Sequence, residues 1–168
     1  MSQFSLSSDA SLPVRDGRGR YRPASADQIL DAARRVIDQK MQRGTEFTLL
    51  ATVKEYLRTK LAGFEREVFA VLFLDTRHRL IDYVEMLRGT IDGATVRPRE
   101  VVEEALQHNA AAVIFSHNHP SGNPEPSATD RALTQRLKEA LTLVEVRTLD
   151  HIIVAGDQTT AFVELGWL

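Results

Sequence analysis

Two histidines one residue apart, His117 and His119, are followed by Ser127 and, three residues later, by Asp130. Imidazole and carboxylate are natural ligands for divalent transition metals. In extended backbone, residues i and i+2 point to the same side, so both rings can converge on one ion at about 2.0–2.1 Å from each nitrogen. Taken alone, such a pair equally suits the polar end of a strand. The pair Ser127 and Asp130, coming after Pro126, also has two readings. It is the pattern of a helix N-cap with an acid at the third helical position. The same helix start favours an ionised carboxylate, which keeps Asp130 charged as a ligand at neutral pH. Two imidazoles and one carboxylate leave a fourth position for water, the open tetrahedral set of catalytic zinc. Water in that position has its pKa lowered toward about 7, and a nearby carboxylate is then needed to take the proton and later deliver it. The chain has no cysteine. Thiolate sites, disulfides and a cysteine nucleophile are therefore excluded, and a transition metal must be held by imidazole and carboxylate.

The elements that position these residues follow from hydrophobic period. Helical spacing from Ser25 to about Arg43 puts Ile29, Ala32, Ala33, Val36, Ile37 and Met41 on one face. A second helix is predicted from about Thr48 to Leu61, with Val53, Tyr56, Leu57 and Leu61 inward. Val68–Leu74 reads as a buried strand, Asp75–Arg79 as a turn and Leu80–Leu87 as a hairpin partner. A helix opens at Pro98, and Ala110–Phe115 forms another buried strand ending just before the histidines. The loop Pro120–Pro126, stiffened by three prolines, leads to a long helix from about Ser127 with Leu133, Leu137, Ala140 and Leu141 inward. Val144–Val154 and Thr159–Val163 supply the last strands, with a turn at Gly156-Asp157. This order predicts an α/β sandwich with a mixed sheet. Residues 1–23, rich in Ser, Gly, Arg and Pro, read as a flexible arm, residues 24–63 as an N-terminal helical segment and residues 64–168 as the domain that carries the site.

The spacing H-x-H-x7-S-x-x-D is similar to the JAMM (MPN+) metalloprotease motif, and SHNHPSG followed by PS and D resembles the RadC family in particular. The stretches VFAVLFLD, RGTIDGA, RPREVV and LDHIIV extend that resemblance from Glu67 to Leu168. It implies a JAMM/MPN-like, cytidine-deaminase-like mixed sheet flanked by helices. It also implies Zn2+ held by His117, His119 and Asp130. The JAMM pattern places a glutamate at the start of the first buried strand, which implies Glu67 as general acid/base; Glu65 and Glu85 remain alternatives. Ser127 resembles the family serine that hydrogen-bonds a developing oxyanion. The implied reaction is hydrolysis of an amide in a peptide or protein by a zinc-activated water, in a peptidase or isopeptidase. Asp150 and His151 read as a buried hydrogen-bonded pair or as partners that orient a ligand imidazole, with His151 a competing ligand in a further reading. His78 and His108 read as surface residues of a turn and a helix end.

Charge bears on the rival readings. Residues 1–60 carry 11 Lys or Arg against 7 Asp or Glu, and residues 61–168 carry 10 against 16. Arg15, Arg18, Arg20 and Arg22 form a solvated arm or a phosphate-binding one. The RadC resemblance implies DNA repair, but no Gly-rich hairpin between helical runs suggests the helix-hairpin-helix module of longer relatives. A DNA-associated protein and a non-catalytic partner-binding domain are the alternatives to the hydrolase. No apolar run approaches about 18 residues, which predicts no membrane span. The N-terminus lacks the order of a secretory signal, so a cytoplasmic protein is the expectation.

Overall fold

A computed structural model describes residues 12–41, 44–88 and 96–168. The start of the expected arm, the last two residues of the expected first helix and the Gly89–Ala94 part of the RGTIDGA stretch lie outside the described residues. The elements in chain order are β1 (Pro13–Arg15), β2 (Tyr21–Pro23), α1 (Ala26–Lys40), α2 (Leu50–Leu61), β3 (Val68–Leu74), β4 (Leu80–Arg88), α3 (Pro98–Gln107), β5 (Ala112–Asn118), α4 (Ala128–Thr142), β6 (Arg147–Ala155) and β7 (Gln158–Ala161). From α1 onward the order is the one read from hydrophobic period.

Five strands form one mixed sheet in the order β4-β3-β5-β6-β7. Only β5 and β6 run parallel; the other neighbours are antiparallel. A parallel pair needs a crossover, and α4 with the loop before it provides one. Every residue of β3 and β5 is buried, as expected for central strands covered on both faces. Alternation divides β3 between two cores. Val68, Leu72 and Leu74 pack with Ile37, Val53 and Leu57 of α1 and α2. Phe69, Val71 and Phe73 pack with Val101 and Ala105 of α3 and Leu137 and Leu141 of α4.

Three expectations shift. The apolar face of α1 is rotated: Ile37 and Met41 are buried, but Val36 is 62% exposed and Ile29 also faces solvent. Ile37 and Met41 pack into the core that α1 shares with α2 and β3, so only part of a broad apolar stripe finds cover. Residues 13–23, expected in a flexible arm, form the two-stranded β1–β2 hairpin. Asp16 organises its turn, its Oδ1 accepting from the amides of Arg18 and Arg20, each at 2.9 Å. Such a side-chain turn needs no apolar period to announce it. Finally, β5 does not stop at Phe115 but continues through Ser116, His117 and Asn118, because β3 pairs with it as far as His117 and β6 as far as Asn118.

Arg34 of α1 ties the first two helices to the approach to β3. Its Nε donates to the Lys60 carbonyl at 3.2 Å and its Nη2 donates to the Ala62 carbonyl. The same guanidinium lies 4.3 Å from the centre of the Phe64 ring.

Candidate metal centre

Because β5 runs on through Asn118, His117 is a strand residue on the α4 side of the sheet. His119 follows one step beyond, its amide donating to the Val154 carbonyl at 2.8 Å and so extending the pairing with β6. The two rings therefore share a side, as their spacing predicts. Opposite them stands the first turn of α4, which carries Asp130. Ser127 caps this helix: its Oγ accepts from the Asp130 amide at 3.0 Å, while the Asp130 Oδ2 accepts from the Ser127 amide at 2.7 Å. The Ser127 hydroxyl donates to the same Oδ2, also at 2.7 Å. This reciprocal cap pins the carboxylate as well as the helix end.

Among the described residues, His117, His119 and Asp130 form a group whose ligand atoms lie within 4.8 Å of one another. His117 Nε2 is 3.3 Å from Asp130 Oδ1, and His119 Nε2 is 3.4 Å from Asp130 Oδ2. The two Nε2 atoms are 2.9 Å apart. Tetrahedral ligands about 2.05 Å from a zinc ion stand about 3.3 Å from each other. The two imidazole–carboxylate spacings, one to each Asp130 oxygen, are close to that figure, and the imidazole pair is a few tenths tighter. The group fits a divalent ion of zinc's size and ligand preference.

The electrostatics agree. Burial raises the Asp130 carboxyl, but the facing His117 ring and hydrogen bonds from the Ser127 hydroxyl and amide outweigh it and hold the group well below the usual carboxylate range. Asp130 is therefore an anion at neutral pH.

The rings are held from behind. His119 Nδ1 lies 2.8 Å from the Asn123 carbonyl. The loop that brings Asn123 there is itself anchored, with the Gly122 amide on the His119 carbonyl at 3.0 Å and the Thr160 hydroxyl donating to the Pro124 carbonyl at 2.8 Å. His117 Nδ1 lies 2.8 Å from Nε2 of the buried His151, whose Nδ1 is 2.6 Å from the Thr134 hydroxyl. Burial, and secondarily the neighbouring His117, push the His151 pKa well below the ordinary imidazole value, so this ring is neutral. His151 thus backs His117 and is not part of the ligand group.

Glu67 is exposed and immediately precedes β3. The β3–β5 register pairs Phe69 with His117, and continued by two residues it sets Glu67 opposite His119. Alternation gives Glu67 the face of Phe69, which is also the face of His117. Glu85 pairs with Ala70 and so stands on the α1–α2 side, across the sheet from the ligands. Glu65 lies in a bend outside the strand. Asn118, between the two histidines, faces the other way. Its Oδ1 accepts from the Val68 amide at 2.7 Å and its Nδ2 donates to the carbonyls of Arg66 at 3.0 Å and Phe64 at 3.4 Å. These bonds bracket Glu67 in the chain.

Asp150 contacts no ligand. Its Oδ1 accepts from the His151 amide at 2.7 Å and the Val163 amide at 3.1 Å, and its buried Oδ2 has no hydrogen-bond partner. Burial pushes its carboxyl up against the pull of those amides. His78 sits in the β3–β4 turn and His108 stacks flat on Phe73 at the end of α3, both away from the centre. Thr134, Asn118 and the Asn123 carbonyl were not singled out from sequence. Thr134 did carry a signal: it is a polar residue one turn after Asp130, on the helix face that Leu137 and Leu141 make apolar.

Among the described residues no helix is long and apolar enough to cross a membrane. The sequence profile of the RadC-like JAB domain matches residues 47–167. Two UPF0758 proteins of Vibrio cholerae serotype O1 are similar to the chain. One is 57% identical over 84% of this chain and 89% of its own length, the other 53% identical over 84% and 90%. A UPF0758 protein of Cellvibrio japonicus is 51% identical over 90% of this chain and 68% of its own length. With a mixed sheet that sets two histidines against a capped aspartate, and with this match over most of its length, the chain belongs to the RadC-like JAB domain family.

Proposed function

We propose that this chain is a zinc-dependent hydrolase that cleaves an amide bond in a peptide or protein, as a peptidase or isopeptidase. The observation that carries the reading is the convergence of two imidazole nitrogens on one carboxylate, with His117 Nε2 3.3 Å from Asp130 Oδ1 and His119 Nε2 3.4 Å from Asp130 Oδ2. His117, His119 and Asp130 hold the ion, which when bound supplies a Lewis acid that activates water and polarises a carbonyl. Glu67, on the same side of the sheet and open to solvent, takes the proton from the attacking water and passes it to the departing nitrogen. Asp130 keeps its charge through the cap, so the ligand set carries one negative charge against two on the ion.

Ser127 has two tasks that compete for one hydrogen. While its hydroxyl donates to Asp130 it orients a ligand. To stabilise an oxyanion it must turn that hydrogen toward the substrate. The two roles separate in kinetics: loss of the first weakens metal binding, loss of the second lowers kcat at full occupancy.

Metal analysis of purified protein tests the reading first. Wild type binds one zinc and His117→Ala binds none. Glu67→Gln keeps the zinc and loses hydrolysis of a peptide or isopeptide library by ~10²–10⁴-fold, the usual contribution of a general base. Wild type that stays empty in excess zinc refutes the site, and a Glu67→Gln protein of full activity refutes the assignment of the base.

A further inference from the structure

The two ligand imidazoles are not fixed in the same way. A carbonyl oxygen can only accept, so the Asn123 carbonyl puts the hydrogen of His119 on Nδ1 and leaves Nε2 bare toward the ion. His117 faces no carbonyl. Its Nδ1 meets another imidazole, which can donate or accept, and the local geometry leaves two tautomers open.

We propose that Thr134 and His151 form a buried relay that fixes His117 in the tautomer with a bare Nε2, and that both are positioning residues of the metal centre. The inference rests on the zinc reading of that centre. The direction of the relay is set at its far end. Thr134 Oγ1 is 2.7 Å from the Asp130 carbonyl and 2.6 Å from His151 Nδ1. The hydroxyl has one hydrogen and the carbonyl can only accept. With that hydrogen on the carbonyl, the hydroxyl accepts from His151 Nδ1. His151 Nε2 is then bare and accepts from His117 Nδ1, which leaves His117 Nε2 free of hydrogen. Run backwards, Thr134 donates to His151, His151 donates to His117, and a hydrogen on His117 Nε2 points at Asp130 and closes the ligand position.

The surroundings make the relay rigid. Thr134, His151 and His117 are all buried, so water does not substitute for a lost member. Phe69, Phe115 and Phe162 enclose the His151 ring, with centroids 5.7, 5.8 and 4.7 Å away. The chain of bonds also closes a circuit, running from the peptide of one ligand, Asp130 on α4, through β6 to the ring of another, His117 on β5. A helical threonine often makes such a back-bond to its own helix simply to satisfy its hydroxyl; here the Thr134 oxygen has a second partner, His151, which leads to the proposed metal centre.

The relay predicts the outcome of removing the hydroxyl. In Thr134→Val, His151 Nδ1 faces a methyl group. A hydrogen there would be buried without an acceptor, so it moves to Nε2, and His117 is driven to the closed tautomer. Two measurements test this: nitrogen-15 NMR of the imidazoles in zinc-free protein, which distinguishes the tautomers, and zinc affinity by chelator competition. Wild type and Thr134→Ser are expected to show His117 with its hydrogen on Nδ1. Thr134→Val is expected to show it on Nε2 and to bind zinc ~10–100-fold more weakly, with the His119 tautomer unchanged. A Thr134→Val protein with wild-type zinc affinity overturns the inference. So does a wild-type His117 carrying its hydrogen on Nε2, a result that needs no variant to fold. If wild type shows the expected tautomer but binds no zinc, the hydrolase reading fails and the relay stands as a structural device.

Discussion

Replacing Asn118 by alanine tests whether the strand that presents Glu67 is held by a side chain of the metal strand. Asn118 is 4% exposed and makes three bonds to the segment before and at the start of β3. The variant leaves the Val68 amide buried without an acceptor, which costs about 1–3 kcal/mol. The Arg66 carbonyl loses a net ~0.5–1.5 kcal/mol, and the long bond to Phe64 adds less. The total is about 2–4 kcal/mol. For a chain of this size each kcal/mol moves Tm by ~2–4 °C, so Tm should fall by about 5–15 °C in thermal unfolding. Zinc stoichiometry should hold, because His117, His119 and Asp130 are untouched. Hydrolysis should fall by ~10²-fold, the consequence of moving a reacting group by about an ångström. A Tm within about 1 °C of wild type would refute the clamp. Loss of zinc together with activity would show instead that Asn118 acts on the histidines and not on Glu67.

Three further outcomes are expected. Zinc at ~100 times its Kd should stabilise the fold by about 2.7 kcal/mol and raise Tm by several degrees, and a chelator should reverse this; equal Tm with and without zinc would count against a site formed by the folded chain. Asp150→Asn should gain stability relative to wild type as pH rises. The Asp150 carboxyl is raised by burial, so its neutral form is preferred in the fold, and stability present below the unfolded pKa near 3.9 is lost as pH climbs through the folded value. Denaturant midpoints that differ by the same amount at pH 4 and pH 8 would contradict this. Gly63→Ala should destabilise the protein by ~1–2 kcal/mol, since Gly63 has φ +76° and an added Cβ would meet the Leu30 side chain; an unchanged midpoint in urea would refute it.

The layers of the fold were legible because apolar residues state their period. Val53, Tyr56, Leu57 and Leu61 were read inward and are buried, and Val68–Leu74 was read as a strand to the residue. The grouping of His117, His119 and Asp130 was legible because His117 lies near the end of β5, His119 just beyond it and Asp130 at a capped helix start, where short spacing decides geometry. What was missed depends on contacts across the sequence. Ile29 and Val36 continue the apolar stripe of α1 but remain exposed among the described residues. Asn118 acts over some fifty residues on Arg66 and Val68, and no local pattern reports such a reach. His151 was weighed as a partner of the ligands, yet its bond to Thr134 depends on how α4 crosses β6, which hydrophobic period does not specify.

Arg34 ties the first helix to the segment that leads to Glu67. α1 lies ahead of residue 47, where the match to the family begins, and would be the natural piece to trim. Yet its guanidinium satisfies the carbonyls of Lys60 and Ala62 and braces Phe64, three residues before Glu67. Shortening the chain to the matched segment would leave those carbonyls open and the Phe64 ring unsupported, loosening the run of backbone that leads to Glu67, the proposed base. On the proposed reading, the helical pair would act as a buttress for the end of the sheet that carries Glu67.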